Sequence, residues 1–439
     1  MSRPRRSART YIYQAVVRAD RSDQDAPEQA SIARNGLRQV LAEALQSTGD
    51  QVVNAKTVLP WALATLGAPG FLIALLVPIR ESGSMLPQAA LAPVLQRSSD
   101  RKSFWLWGAS GQALATAGMA LAIATLSGWV AGVAVVGCLA IFALSRSLNS
   151  LAGKDVLGRT VPKGERGQIT GLTTVLSGAV AITLGVALRV IGDDFSTGLL
   201  AGLLAVAALL WVGALVVFSG IRDPGSDVPP DPAEGPGWVA QSWELMRSDA
   251  HFRTFVIARA LLLVSALSPP FVVSIAAQRA DHGLAGLGPF VIAQGVAALI
   301  GGRLAGRLAD RSSQGLMVWA SVAASLTIAA FLLLDALSAV GGSEWLPPAT
   351  FLLLALTHVG IRVARKTYVV DMAGEEKRTV YVAVSNTAMG VLLLIVGAIS
   401  GALSLLGPGV ALAFLAVLGL IGSLASRRLP DVSIGKTTH

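Results

Sequence analysis

Runs of apolar residues alternate along the chain with short clusters of charge, glycine and proline. The runs predict helices at 104–125, 129–153, 166–190, 197–218, 253–278, 287–307, 315–338, 346–366, 380–402 and 409–426. Each is long enough to cross ~30 Å of hydrocarbon at about 1.5 Å per residue. Leu, Ala and Gly dominate the runs without strict two-residue alternation, which favours helices over barrel strands. The expected fold is therefore all-α. Residues 219–250 carry Pro224, Pro229, Pro230, Pro232 and Pro236 and read as a linker between two groups of six helices. Trp238 to Met246 reads as a short helix on the membrane surface.

The first two spans admit two registers. Taking 57–79 as the first helix leaves only about 84–96 for the second, roughly 20 Å and too short to cross. Starting the first helix near Arg38, turning at Gly67-Ala68-Pro69-Gly70 and running the second from Phe71 to Gln96 lets both cross. This preferred register gives twelve spans. It divides the chain into an N-terminal tail (1–37), a first bundle (38–218), a linker (219–252), a second bundle (253–426) and a C-terminal tail (427–439).

Composition agrees with lipid as the main solvent: 53% of the 439 residues are hydrophobic and 14% charged, and the mean hydropathy is +0.62. The net charge of +9 invites a nucleic-acid reading, but its distribution rejects one. Basic residues collect in the N-terminal tail, then at Arg97/Arg101/Lys102, Lys154/Arg159/Lys163/Arg166, Arg303/Arg307/Arg311, Arg362/Arg365/Lys366 and Arg427/Arg428. Between the clusters, the intervening turns are poor in Lys and Arg. This positive-inside pattern predicts a multi-pass protein of the cytoplasmic (inner) membrane with both termini in the cytoplasm. Arg5-Arg6 is not followed by an apolar stretch, so no cleaved signal is expected. The single Cys138 excludes a disulfide within the chain.

An internal repeat underlies the pattern. Asp100-Arg101 recurs as Asp310-Arg311, 210 positions on, and Lys154 and Arg166 recur as Lys366 and Arg378 at an offset of 212. With its apolar spans and these helix-end charges, the chain resembles the major facilitator superfamily from about Arg38 to Arg428. The family's loop signature is G-x-x-x-D-R/K-x-G-R/K-R/K. Gly306, Asp310 and Arg311 match it, with Ser313 at the second glycine position; Asp100, Arg101 and Lys102 remain of the first copy, with Gln96 at its first glycine. The resemblance implies two six-helix bundles rocking about a central site lined by helices 1, 4, 7 and 10. It also casts Asp100, Arg101, Asp310 and Arg311 as a conformational latch.

The preferred register places charge at membrane depth, where a lone ion costs at least about 2.5–3.5 kcal/mol on insertion scales. Glu43, Ser47, Asp50, Asn54 and Thr57 form one helical stripe at spacings of three and four, and Arg80, Ser84 and Gln88 form another at four. Two polar stripes on adjacent helices suggest a water-filled cavity. Asp50 is the favoured proton-coupling acid and Glu81 the second candidate; a permanent Asp50–Lys56 or Arg80–Glu81 ion pair is the structural alternative. Lys56, Arg80 and Arg259 supply positive charge suited to a carboxylate or phosphate. Arg259 lies close enough to its helix end to reach the cytoplasm instead. On the tenth helix His358, Arg362 and Lys366 recur at four, with His358 the member nearest the cavity. Pro269-Pro270 and Gly301-Gly302 mark expected kinks or close packing, and Gly171, Gly178 and Gly185 a close packing face.

There is no P-loop, paired-cysteine metal site or H-E-x-x-H sequence, so no catalysis, metal or cofactor is expected. The expected function is secondary active transport, by a monomer, of a small anionic or zwitterionic solute coupled to H+. The alternatives are an exporter of amphiphilic drugs or lipids and a non-transporting receptor or assembly protein of the same fold. The absence of proline between the fifth-helix glycines weakens the drug-exporter reading.

Overall fold

The computed structural model describes Tyr13 and residues 26–96, 98, 100–162, 166–191, 197–223, 238–279, 286–337, 343–372 and 378–432. The N-terminal arginine cluster and the proline-rich part of the linker lie outside the described residues.

The chain is helical throughout these regions, as its apolar runs predict. The helices of the first half are α1 (Ala26–Val52), α2 (Val58–Thr65), α3 (Gly70–Gln96), α4 (Arg101–Thr125), α5 (Gly128–Thr160), α6 (Arg166–Ile191) and α7 (Thr197–Ser219). After the linker helix α8 (Trp238–Ser248) come α9 (Ala250–Leu261), α10 (Val264–Leu267) and α11 (Pro269–Arg279). The rest are α12 (Gly288–Arg311), α13 (Ser313–Ala336), α14 (Leu346–Met372), α15 (Arg378–Ser404) and α16 (Pro408–Arg427). Joined across their breaks, α1–α2 and α9–α11 each make one rod, and twelve rods follow in the expected order. Among the described residues, seven segments are long and apolar enough to cross a bilayer by themselves, and two shorter apolar helices accompany them.

The molecule is a multi-pass membrane protein by its surface as well. Large apolar side chains such as Leu121, Val130, Leu209, Leu326 and Leu420 are exposed on the outer faces of the helices, where lipid accepts them. Exposed tryptophans sit near both ends of the rods. Trp107, Trp243 and Trp319 lie toward the face that carries the chain ends, and Trp129 and Trp345 toward the opposite face, as interfacial belts require.

Two expectations about the first span need correction. The helix begins at Ala26 rather than near Arg38, because its polar extension has partners: the Asn35 amide pairs with both the N–H and the C=O of Arg222, at 3.1 and 3.0 Å, and Arg38 donates to the Gly220 carbonyl. Nor does the polar stripe continue on one helix through Thr57, since the helix breaks over residues 53–57. Pro60 is the cause. Its ring would clash with the carbonyl of Lys56 in a continuous helix, so the chain restarts at Val58. Asn54 fills the gap: its side-chain oxygen accepts from the Lys56 N–H at 2.8 Å, a local bond that competes with the helical ladder. The turn at Gly67 (φ 74°) stands where expected. The other half repeats the device. Its first rod breaks at Leu262-Leu263 and again at Ser268, with Pro269 and Pro270 opening α11, as the proline pair suggests.

Each half packs within itself, α4 against α5 and α7 in the first and α13 against α14 and α16 in the second. The halves meet along two seams, α6 with α12 and α3 with α15. Both are built on glycine. A Cβ at Gly185 would stand 2.7 Å from the Ile292 nitrogen, and one at Gly288 only 2.6 Å from the Gly185 carbonyl oxygen. Seven residues along, Gly178 faces Gly295 in the same way. The side chain of Gly171's position lies outside the described residues. In the second seam Gly397 and Gly390 accept Pro78 and Leu86 of α3, and Ser82 donates to the Gly390 carbonyl at 2.7 Å. Bare backbone lets the two bundles approach closely and slide.

Gly185→Val should therefore lower the thermal unfolding midpoint of the detergent-purified protein, by the ~1–3 kcal/mol or more that overpacking costs. Gly202→Ala, at a site with nothing within 4 Å, should leave it unchanged or higher.

Candidate functional site

A cavity of about 470 Å³ lies between the halves at the depth of the two helix breaks. The first half contributes Ser47, Asp50, Gln51, Asn54, Lys56, Arg80, Glu81, Arg146 and Ser177, and the second contributes Ser265, Gln294, Phe351, His358 and Arg362 among others. Of the two polar stripes expected on adjacent helices, Ser47, Asp50 and Asn54 of the first and Arg80 of the second line this cavity; Glu43, Thr57, Ser84 and Gln88 do not.

Its centre is Asp50. One carboxylate oxygen accepts from Arg80 at 3.0 Å, and both lie 2.5 Å from Arg146, so α1, α3 and α5 are joined by a single acid. The permanent pairs anticipated from sequence, Asp50 with Lys56 and Arg80 with Glu81, are not the ones formed. Helix geometry explains this: Arg80 and Glu81 are adjacent on α3 and point to different sides, while Lys56 follows the break and no longer shares the Asp50 face. Glu81 lies within electrostatic range of Lys56, Arg80, Arg146 and Arg362. Among the described residues, its carboxylate has no ion pair within the 4.0 Å of a salt bridge.

Arg146 escaped the sequence reading. Its signal was available, an arginine in the middle of the apolar span 129–153, where a charge demands a partner or a cavity. Gln51 and Ser177 were missed too, and they bond each other at 2.8 Å between α1 and α6. On α14, His358 reaches the cavity and its Nδ1 stands 3.4 Å from the Ser265 hydroxyl.

Other candidates sit elsewhere. Gln88 bonds back to the carbonyl of Ser84 at 2.7 Å, on α3 below the cavity lining. Arg259 does not snorkel. It is 8% exposed and donates to Ser385 and Asn386 of α15 at 2.8 and 3.0 Å. Asp100 caps α4, accepting from the Ser103 N–H at 3.2 Å, and the Ser103 side-chain and backbone bonds hold its carboxyl below the usual carboxylate range. Arg101 pairs at 2.6 Å with Asp155, which also holds Arg159 at 3.2 Å; these groups all belong to the first half. Arg311 is exposed, and the side chain of Asp310 lies outside the described residues.

The cavity is closed on one side and open on the other. Away from the chain ends, α2 packs on α11, and Trp61, Phe290 and Phe351 form an aromatic ceiling with centroid separations of 6.1 and 5.6 Å. Toward the chain ends, a second space of about 380 Å³ shares Ser47, Asp50 and Arg146 with the cavity and continues past Gln46, Asn149 and Lys154. There α1 packs mainly on α6 and α7, and α9 on α15 and α16, each within its own half. This is an inward-facing arrangement in the sense of the side that carries the chain ends.

Neither a family model nor a curated protein matches the sequence. Solved structures do match it by fold. A POT family transporter in complex with 5-aminolevulinic acid superposes with a TM-score of 0.69 at 11% identity, covering 89% of this chain and 95% of that one. A D-xylose–proton symporter gives 0.70 at 13%, covering 93% and 100%. The inward-open xylose transporter XylE from E. coli gives 0.65 at 14%, covering 92% and 98%.

Replacing Asp50 by Asn leaves Arg80 and Arg146 facing each other without an acid, and should cost about 2 kcal/mol, less than a fully dry pair because the cavity is wet. Thermal unfolding of Asp50→Asn checks this, and an Asp50→Asn/Arg146→Gln double variant should recover part of the loss. In a Cys138→Ser background, a cysteine at Ser47 should react with a hydrophilic thiol reagent from the chain-end side and one at Trp61 should not. Among the described residues, the rods of two glycine-seamed halves, with the first helix of each broken and a cavity between them, have the major facilitator fold.

Proposed function

We propose that the protein is a secondary active transporter that carries a small anionic solute through the central cavity by alternating access, driven by H+. The observation that carries this reading is the cavity itself: a space lined by charged and polar side chains, placed at the interface of two pseudo-symmetric halves and at the breaks of both leading helices. Broken helices at the midplane expose backbone groups and side chains to a solute where continuous helices could not. The cavity lining holds Lys56, Arg80, Arg146 and Arg362 against Asp50 and Glu81, a surplus of positive charge that favours an anion. Its polar and charged walls fit poorly with an amphiphile. The similar solved structures include a proton symporter and a POT family transporter, which supports the same class of function.

For coupling, the geometry favours Glu81 over Asp50. Asp50 has both oxygens engaged by arginines, whereas the Glu81 carboxylate faces the cavity with no short ion pair. Glu81, which faces Lys56 across the cavity without a short ion pair, is the acid assigned to take up and release a proton as the cavity changes side and the cations around it move, and Asp50 keeps α1, α3 and α5 together through the cycle. On the positive-inside pattern the open side is cytoplasmic.

Proteoliposomes challenged with labelled carboxylates, amino acids and phosphate esters should accumulate at least one of them under an inward proton gradient and lose it on adding a protonophore. Glu81→Gln should abolish accumulation while keeping solute exchange. Flux that ignores both the gradient and this substitution would remove the coupling proposal; no flux above empty liposomes would remove transport.

A further inference from the structure

The cations of the two halves are not equally paired. In the first half, Asp50 answers Arg80 and Arg146, and Glu81 answers Lys56. In the second, Arg362, Arg365 and Lys366 lie within two turns of α14, and Arg259 lies behind them on α9. Lys366 is within electrostatic reach of the other three, and of Lys154 across the cleft. Arg259 and Arg365 are only 8% and 7% exposed, and the Nε of each lacks a hydrogen-bond partner. Among the described residues, Arg365 donates to the sulfur of Met389, at 3.6 Å, and to no oxygen. Glu81 is within electrostatic reach of Arg362 and Arg365, and it already faces Lys56.

Arg259 and Arg365 are held out of bulk water, where charge is costly without an anion nearby, while Arg362, Lys366 and Lys154 are exposed and so accessible to one. The layout of the cluster also says which anion. Arg362 and Lys366 are four residues apart and share one face of α14, within electrostatic reach of each other, so one ligand can meet both. A guanidinium fork beside a point-charge ammonium suits one compact, doubly charged oxyanion better than two spaced carboxylates. Arg362 lines the cavity and Lys154 lines the adjoining space of the first half, so a ligand between the two spaces has a cation from each half beside it. Lys154 and Lys366 are also the repeat-related pair, one from each half, and they repel until something negative lies between them.

We propose that Arg362 and Lys366, backed by Arg365 and Arg259 and faced by Lys154, form the docking site for a phosphate group on the transported solute. The proposal rests on the anion-transport reading and narrows its cargo to phosphorylated small molecules. A bound phosphate also neutralises the like charges that face each other across the cleft, so loading favours closure of the chain-end side.

The test uses the full chain in phosphatidylcholine nanodiscs, titrated with inorganic phosphate at constant ionic strength while thermal unfolding is followed by tryptophan fluorescence. Phosphate should raise the midpoint saturably and acetate should not. Arg362→Gln and Lys366→Gln should each weaken the apparent Kd about tenfold or more, as loss of a charge-assisted bond implies. Both should be at least as stable as the parent without phosphate, because each removes a repelling charge. Lys366→Arg should keep the response, and Arg253→Gln, an exposed cation on α9, should not alter it.

No phosphate response, or one that survives both Gln substitutions, overturns the site. Stabilisation by phosphatidylglycerol nanodiscs with no response to free phosphate would assign the cluster to a lipid headgroup and overturn its cargo role. Phosphate binding without liposome flux would leave the site standing and remove the transport reading; flux of carboxylates without phosphate binding would do the reverse.

Discussion

One carboxylate held between two guanidinium groups organises the middle of this protein. Asp50 ties α1 to α3 through Arg80 and to α5 through Arg146, at a depth where none of the three charges would be tolerable alone. Because the ions need one another, the three helices cannot drift apart without exposing an unpaired charge. Because ions hold water, the space beside them stays wet and polar. The break in the first helix follows from the same region: Pro60 forbids continuity, and Asn54 turns the chain so that Lys56 enters the cavity from the far side of the gap.

Around this fixed point the halves are joined by contacts of another kind. The α6–α12 and α3–α15 seams rest on glycine positions that let the other half's backbone and side chains, Pro78 and Leu86 among them, approach closely without ion pairs. Strong ionic ties therefore lie within the first half and close glycine-based packing lies between the halves. That division lets bundles move as bodies. The aromatic ceiling of Trp61, Phe290 and Phe351 closes one end, while like charges from both halves face each other across the other. An anion in the cleft changes the balance between the two ends.

Much of this could be read from the chain, and the misses have physical causes. The all-α fold, the Gly67 turn and the register that brings Asp50 and Arg80 together all follow from apolar run length, because a span must be long enough to cross. Gly178 and Gly185 announced a packing face, but their partners Gly295 and Gly288 lie over a hundred residues away, and periodicity says nothing about which surface it meets. Pairing failed for the same reason. Depth along a helix is legible in sequence and direction around it much less so, hence Asp50 chose Arg146 over Lys56. Arg259 was placed at the right depth and on the wrong face. Its side chain is sealed under α15 instead of reaching outward. Arg146 itself was legible as a charge in an apolar run, and Pro60 as a proline in one.

The central claim is that the two halves move as bodies about the glycine seams, opening and closing the cleft on the chain-end side. Spin labels at Ser219 on α7 and Thr254 on α9, both exposed and on opposite halves, report that cleft directly. Pulsed electron–electron distance measurements in nanodiscs should give two separations whose populations shift toward the shorter when an anionic solute is bound. A single distribution, unchanged by any anion and by proton gradient, would contradict the account.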